Sequence, residues 1–209
     1  MSSIDHQRRV SKRQSIVCRM FATVAPLLFG TAIASPISGD YDGLLLAVDP
    51  SRQLVTGYFE SYTVAGQFSC IFYLRGNLGN SVTKIKTWFP SEKDPKEIIE
   101  GVIKETSVEG QPAVTVKLEK EHGGCWNVQN FADSAAEQSL WRLTEAGKWK
   151  EIRVVSSPRS YFHDKPQDGT KRKAYVVTGN ALRVYEINAG WMRAEFVRDG
   201  VQNPSFAAH

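Results

Sequence analysis

The stretch FSCIFYL at residues 68–74 decides the fold of this chain, because it is apolar, rich in aromatic residues and followed by a turn signal at Gly76 and Asn77. Aromatic and β-branched residues favour strands, and a short apolar run bounded by turn residues is typical of a buried strand. Cys70 lies at its centre. We therefore expect a buried β-strand that a disulfide joins to Cys125.

An export signal is predicted ahead of this strand. Residues 1–34 open with a basic segment, continue without a charge over residues 20–34 and end in Ala32-Ile33-Ala34, the small-x-small pattern that signal peptidase reads. A membrane anchor is the alternative, but the apolar run is shorter than the roughly 20 residues that span a bilayer. We expect a signal peptide over residues 1–34, no stable membrane insertion after its removal, and a periplasmic or secreted mature chain.

The predicted signal carries the excess positive charge. The whole chain has 26 Lys and Arg against 22 Asp and Glu, and residues 1–34 hold five of the former and one of the latter. The remaining chain therefore has 21 of each. A neutral mature chain lacks the electrostatic footprint of a nucleic-acid-binding protein, so we expect no nucleic-acid partner.

Cysteine usage agrees with export. Cys18 lies in the predicted signal, which leaves Cys70 and Cys125 as a single pair in an oxidising compartment. The alternative is two free thiols that serve a metal or catalysis. A disulfide that closes a loop of about 55 residues stabilises a domain by ~4 kcal/mol in the chain-entropy model.

Short strand patterns recur from Tyr41 to Leu118. The alternation is clearest in residues 114–118, where the apolar side chains occupy every second position. Residues 97–104 fit either a strand or a short helical segment. Six or so strands with no long helical period predict an all-β domain, a barrel or a sandwich.

One segment departs from the strand pattern. Asp133-Ser134 are suitable capping residues for a short helix over residues 135–143, whose apolar positions suit one buried face. We expect this to be the one helix. Strand signals return in residues 149–155, and Ser156-Ser157-Pro158 is the candidate linker between two domains.

Four sequence features follow this linker in order. They are an aromatic pair at Tyr161 and Phe162, a turn at Thr178-Gly179-Asn180, an alternating strand over residues 181–186, and a last strand opened by Gly190-Trp191. Together they resemble a bacterial Src-homology-3-like domain over about residues 159–200. The resemblance implies a small barrel in a second domain, residues 157–209, after a β-rich domain with the disulfide at 35–156.

The end of this second domain departs from the family pattern. Members of the family usually finish with a further Gly-Trp strand, whereas here Asp199-Gly200 leads into residues 201–209 without one. The closing strand is therefore missing or altered.

The resemblance also implies a binding module. Such domains in exported bacterial proteins are often associated with peptidoglycan or with peptide ligands. By position, Tyr161, Phe162 and Trp191 are the candidate ligand-binding aromatics. The alternative for Phe162 and Trp191 is that they fill the core of a small barrel.

The motifs give no catalytic signature. His122-Gly123-Gly124-Cys125-Trp126 is similar to the sequence around papain-type nucleophiles, but those enzymes need a histidine about 130–150 residues downstream, and only His163 and His209 follow. A zinc site at His122, Cys125 and His163 has no supporting Cys-x-x-Cys or His-x-x-His. We expect no catalytic residue, no metal and no cofactor.

These observations predict an exported, non-catalytic binding protein of the bacterial cell envelope, whose partner is peptidoglycan or an envelope protein or peptide. The alternative is a periplasmic immunity protein or an inhibitor of a wall-degrading enzyme. Small size, neutral mature charge and the absence of a catalytic signature fit both hypotheses, and an enzyme ranks third.

Overall fold

The computed structural model describes residues 36–64, 66–92, 97–132 and 140–197, together with the backbone of 205–208. All of these belong to one compact unit. The chain is all-β, as the sequence predicts, and forms a closed eight-stranded barrel and a six-stranded sheet. The predicted signal peptide lies outside the described residues.

The barrel is built from eight antiparallel strands in chain order, and the last strand closes on the first. The strands are β1 (Gly39–Tyr41), β2 (Leu44–Asp49), β3 (Leu54–Tyr62), β4 (Ser69–Asn77), β5 (Val82–Trp88), β6 (Ile99–Val108), β7 (Gln111–Leu118) and β8 (Leu140–Ala146). This part of the chain is a closed barrel, one of the two architectures that the sequence leaves open. Each connection joins neighbours, so the order is a simple meander.

Aromatic side chains occupy the interior of the barrel. Phe59, Phe72, Phe131 and Trp141 form five ring contacts whose centroids are 5.0–5.5 Å apart, several of them edge to face. Pairs of this kind are favourable beyond the area that they bury. The aliphatic residues that point inward from alternate positions of the strands pack around these rings.

The predicted disulfide is confirmed at one end of this interior. Cys70 of β4 is bonded to Cys125, both residues are fully buried, and their Cα atoms are 4.3 Å apart. Cys125 opens a short 3₁₀ helix, Cys125–Asn127. Gly124 precedes it with φ 87°, and a Cβ there would overlap the carbonyl oxygen of Ser69. Glycine therefore allows Cys125 to approach β4 closely.

The predicted helix over residues 135–143 is wrong where the structure describes it. Leu140–Leu143 belong to β8, which pairs with β7 on one side and β1 on the other. Trp141 is buried among the interior rings. An extended segment is required here because a barrel closes only when each strand edge is paired. The rest of the predicted helix and its capping residues, 133–139, lie outside the described part. Residues 97–104, the ambiguous segment, enter β6 as a strand.

The six-stranded sheet follows the barrel. Its strands are β9 (Glu151–Val154), β10 (Ser160–His163), β11 (Lys171–Val176), β12 (Ala181–Asn188), β13 (Trp191–Phe196) and β14 (Ser205–Ala208), in the order β11-β10-β14-β13-β12-β9. β14 lies between β10 and β13 and pairs with both. A strand therefore follows Asp199-Gly200, although residues 201–209 lack the Gly-Trp sequence with which Src-homology-3-like domains usually finish. The Src-homology-3-like assignment stays a prediction.

The barrel and the sheet pack directly on each other. All six residues of β2 are buried: every second one, beginning with Leu44, belongs to the barrel interior, while Leu45 and Ala47 point outward. These outward residues pack in a cluster with Trp149 and Ile152. A continuous apolar run is expected of a strand that is covered on both faces.

Hydrogen bonds cross this contact. The Trp149 indole donates to the Leu46 carbonyl oxygen at 2.8 Å, the Ile152 amide donates to Thr56 Oγ1 at 2.7 Å, and the Tyr73 hydroxyl donates to the Ile152 carbonyl oxygen at 3.2 Å. β9 pairs with β12 of the sheet, so the chain enters the sheet before the candidate linker. The domain boundary near residue 156 stays a prediction.

A buried carboxylate lies at the edge of the contact. Glu151 is 2% exposed and faces three arginines, with N–O distances of 2.7 Å to Arg52, 3.1 Å to Arg153 and 3.9 Å to Arg75. Arg52 also pairs with Asp49 at 2.7 Å. Because Arg52 and Arg75 belong to the barrel and Glu151 to the sheet, this cluster links the two.

The disulfide should supply a large share of the stability. In the chain-entropy model the Cys70→Ala/Cys125→Ala double variant loses about 4 kcal/mol of unfolding free energy, because its unfolded state is no longer restrained by the loop. Urea unfolding of the variant and of the oxidised wild type measures the difference. Equal midpoints, or two free thiols in the unreduced denatured wild type, would contradict the prediction.

Removal of Glu151 should destabilise the protein strongly. We expect Glu151→Ala to lower the unfolding free energy by about 1.5–3 kcal/mol, because it removes the buried carboxylate that pairs with Arg52, Arg153 and Arg75. Glu100→Ala is the matched control, since Glu100 faces Lys86 at 3.9 Å on the exposed surface, and should change stability by less than about 0.5 kcal/mol. Equal effects of the two substitutions would show that the buried cluster contributes no more to stability than the exposed pair of Glu100 and Lys86 does.

His122 should make stability depend on pH. Its Nε2 is 2.7 Å from Thr87 Oγ1, whose hydroxyl donates to the Ile99 carbonyl oxygen, so the imidazole N–H donates to Thr87. The ring is buried and stacks on Phe72. Burial lowers the pKa of His122, and Lys120 acts in the same direction while Glu97 opposes it.

The sign of this dependence follows from the lowered pKa. The unfolded chain takes up the proton first, so the stability due to neutral His122 is complete above the unfolded pKa of about 6.5 and falls as the pH drops through it. Urea midpoints from pH 8 to 5 should fall more steeply for the wild type than for His122→Gln. Parallel curves for the two proteins would refute this role of His122.

Candidate binding surface

β10 separates the predicted site residues onto two faces of the sheet. Side chains alternate along a strand, so Tyr161 and His163 share one face and Phe162 lies on the other. Tyr161 is directly opposite Tyr175 of β11, and the two rings are 5.7 Å apart.

Strand register places Trp191 beside the first pair. Ala207 of β14 is paired with Phe162 on one side and with Met192 on the other. Residues aligned across a sheet point to the same face, so Phe162 and Met192 share one face, and their neighbours Tyr161 and Trp191 share the other. The contact between the rings of His163 and Trp191, at 4.8 Å, agrees with this.

We call the residues Tyr161, His163, Tyr175 and Trp191 the aromatic face. Tyr175 is exposed and the other three are half-buried. Their rings come from β10, β11 and β13, and the backbone of β14 runs between β10 and β13. The aromatic face thus covers four adjacent strands of one sheet.

Two cations lie over the tyrosine rings. The Arg159 guanidinium is 4.4 Å from the centroid of Tyr175, and Lys171 Nζ is 3.7 Å from that of Tyr161. Arg159 also donates a hydrogen bond of 3.3 Å to the Tyr161 hydroxyl. This bond lowers the pKa of Tyr161. Cation–π contacts hold both positive groups at the surface, so the aromatic face is positively charged.

Phe162 is not part of the aromatic face. It is 8% exposed and belongs to the apolar cluster on the opposite side of the sheet, which also contains Val176, Leu182, Val184 and Ala194. That position agrees with the alternative that it fills the core. A ligand-binding role for Tyr161 and Trp191 stays a prediction.

Sequence reasoning missed four members of this arrangement, among them His163, which it considered only as a zinc ligand. Tyr175, Arg159 and Lys171 are brought to Tyr161 by strand pairing and by cation–π contacts. The alternation of Lys171 and Tyr175 along one strand was the available signal, since both fall on one face. Without the strand register, the sequence does not show which strand pairs with β11, so it does not predict that these residues lie beside Tyr161.

The arrangement suits recognition rather than bond making. Aromatic rings offer flat surfaces for the C–H faces of sugars and for aliphatic groups, while guanidinium and ammonium groups bind carboxylates. A ligand that combines both features matches the aromatic face.

Both His122 and Cys125 of the histidine–cysteine motif take part in the packing of the barrel. Cys125 is bonded to Cys70, so its thiol is consumed, and His122 is buried against Phe72. In the described part of the chain, no group of three or more His, Cys, Asp or Glu side chains is placed to hold a metal ion.

No helix in the described ranges is both long and apolar enough to span a membrane. Comparison of the chain with protein-family models, with curated proteins and with solved structures gives no match.

Proposed function

We propose that this chain is an exported, non-catalytic binding protein of the bacterial cell envelope, with the aromatic face as its ligand-binding surface. The observation that carries the proposal is the pair of tyrosine rings, Tyr161 and Tyr175, each with a cation beside it. The disulfide is compatible with an exported chain.

Peptidoglycan is the ligand whose chemistry matches this surface most fully. Its glycan strands present sugar rings that stack on aromatic side chains, and its stem peptides carry carboxylates. Trp191 and Tyr175 would supply the stacking surface, and Arg159 and Lys171 would pair with the carboxylates. A partner protein or peptide would need an acidic and apolar segment to fit the same face.

Purified peptidoglycan should pellet the mature protein, residues 35–209, and loss of a ring should weaken this. We expect Trp191→Ala and Tyr175→Ala each to reduce the affinity by about tenfold, a change of about 1.4 kcal/mol that is typical of a lost aromatic or cation–π contact. Added salt should weaken pelleting of the wild type, because the cations are exposed.

The control is Trp126→Ala. Trp126 is 70% exposed and lies in the short 3₁₀ helix beside the barrel, so its loss should leave pelleting unchanged. Equal behaviour of Trp191→Ala, Tyr175→Ala and the wild type would exclude the aromatic face as the site. A single tight protein partner in an envelope extract, with no pelleting, would favour the immunity or inhibitor hypothesis instead.

A further inference from the structure

A cavity of about 920 Å³ lies between the barrel and the second sheet. Its barrel wall includes Glu60 and Tyr62 of β3, and its other wall includes Arg183 of β12. Phe89, after the end of β5, also lines it. We propose that this cavity is a second binding site, which takes a small organic cation with a primary ammonium or guanidinium group.

Glu60 is the proposed anchor for the cation. Tyr58 and Tyr62, two positions away on either side along β3, both donate their hydroxyl hydrogens to its carboxylate, Tyr58 at 2.8 Å. Each carboxylate oxygen receives one of these bonds and retains a further lone pair. The carboxylate is therefore held in one orientation while it stays accessible.

The two tyrosines remain donors at neutral pH. Burial, followed by the hydrogen bond to Glu60, raises the pKa of Tyr58, and the hydrogen bond to Glu60 raises that of Tyr62 to about 12. Neither phenol ionises near pH 7, so the charge that a ligand meets at this point is that of Glu60.

The charge balance of the cavity is negative. Its lining contains three carboxylates, from Asp40, Glu60 and Glu145, and one cation, Arg183. Arg183 is already engaged, since it lies 4.9 Å over the Trp149 ring and 3.9 Å from Glu195. Across the described ranges, no lysine or arginine forms an ion pair with any of the three lining carboxylates.

Exposed aromatic rings stand beside this negative charge. Tyr62 is 54% and Phe89 is 44% exposed, and both line the cavity. A carboxylate together with aromatic faces is the combination that binds ammonium and guanidinium groups, through charge-assisted hydrogen bonds and cation–π contacts. The volume lies in the range of small-molecule sites, which favours a free small molecule over a protein partner.

Isothermal titration of the mature protein with 1,5-diaminopentane and with agmatine tests the proposal, and glutarate serves as the anion of matched length. We expect saturable binding of at least one cation and none of glutarate. Glu60→Gln should weaken the cation by about tenfold or more, as expected for a lost charged hydrogen bond. Glu109→Gln, an exposed glutamate in the turn between β6 and β7, should bind like the wild type.

Three results would overturn the proposal. They are no saturable binding of either cation at millimolar concentration, equal affinities for Glu60→Gln and the wild type, or binding of a lysine peptide without binding of the free amines. Pelleting with peptidoglycan separates this site from the aromatic face, because Glu60→Gln leaves Tyr161, Tyr175 and Trp191 intact. Binding of a cation in the cavity is therefore tested independently of the function proposed above.

Discussion

The burial of β2 on both faces is the constraint on which the rest of the structure depends. A barrel strand usually alternates between an interior and a solvated side, but Leu44–Asp49 has no exposed side chain. Its outer residues are covered by Trp149 and Ile152. Separation of the two parts would expose this apolar surface and break the hydrogen bond from the Trp149 indole to the barrel backbone. Burial at about 25 cal/mol per Å² favours the packed state.

The same contact fixes the positions of both candidate sites. The sheet lies with β9 and β12 against the barrel, which leaves β10 and β11, at the far end of the strand order, to carry the aromatic face. The cavity at Glu60 exists because β3 continues beyond the covered region, where its residues change from buried to exposed. One packing arrangement thus produces the aromatic face in one place and a partly open, negatively charged cavity in another.

Local sequence patterns predicted the all-β class and the disulfide correctly. The all-β class followed from recurring short apolar segments, and the disulfide from two cysteines that remained after the predicted signal. The error at Leu140–Leu143 has a long-range cause, because this segment must pair with β1, about 100 residues earlier in the chain, to close the barrel. Its sequence carries a helical pattern that closure overrides.

The candidate sites were predicted less completely than the fold. Tyr161 and Trp191 stood out through a family resemblance, whereas Tyr175, Arg159 and Lys171 join them only through strand register and ring contacts. The cavity could not be predicted at all, since Glu60 and Arg183 are distant in the sequence and the packing of the two parts leaves no local signal. Residue types alone do not specify which strands become neighbours.

The central position of β14 has a consequence for the order of folding. Residues 205–208 lie between β10 and β13, so the pair β10–β11 has no other strand through which to join the sheet. The barrel residues precede these four residues in the chain, so they emerge first when the chain is delivered from its N-terminal end. The barrel can therefore fold as a unit first, while the aromatic face, which extends across β14, is assembled last.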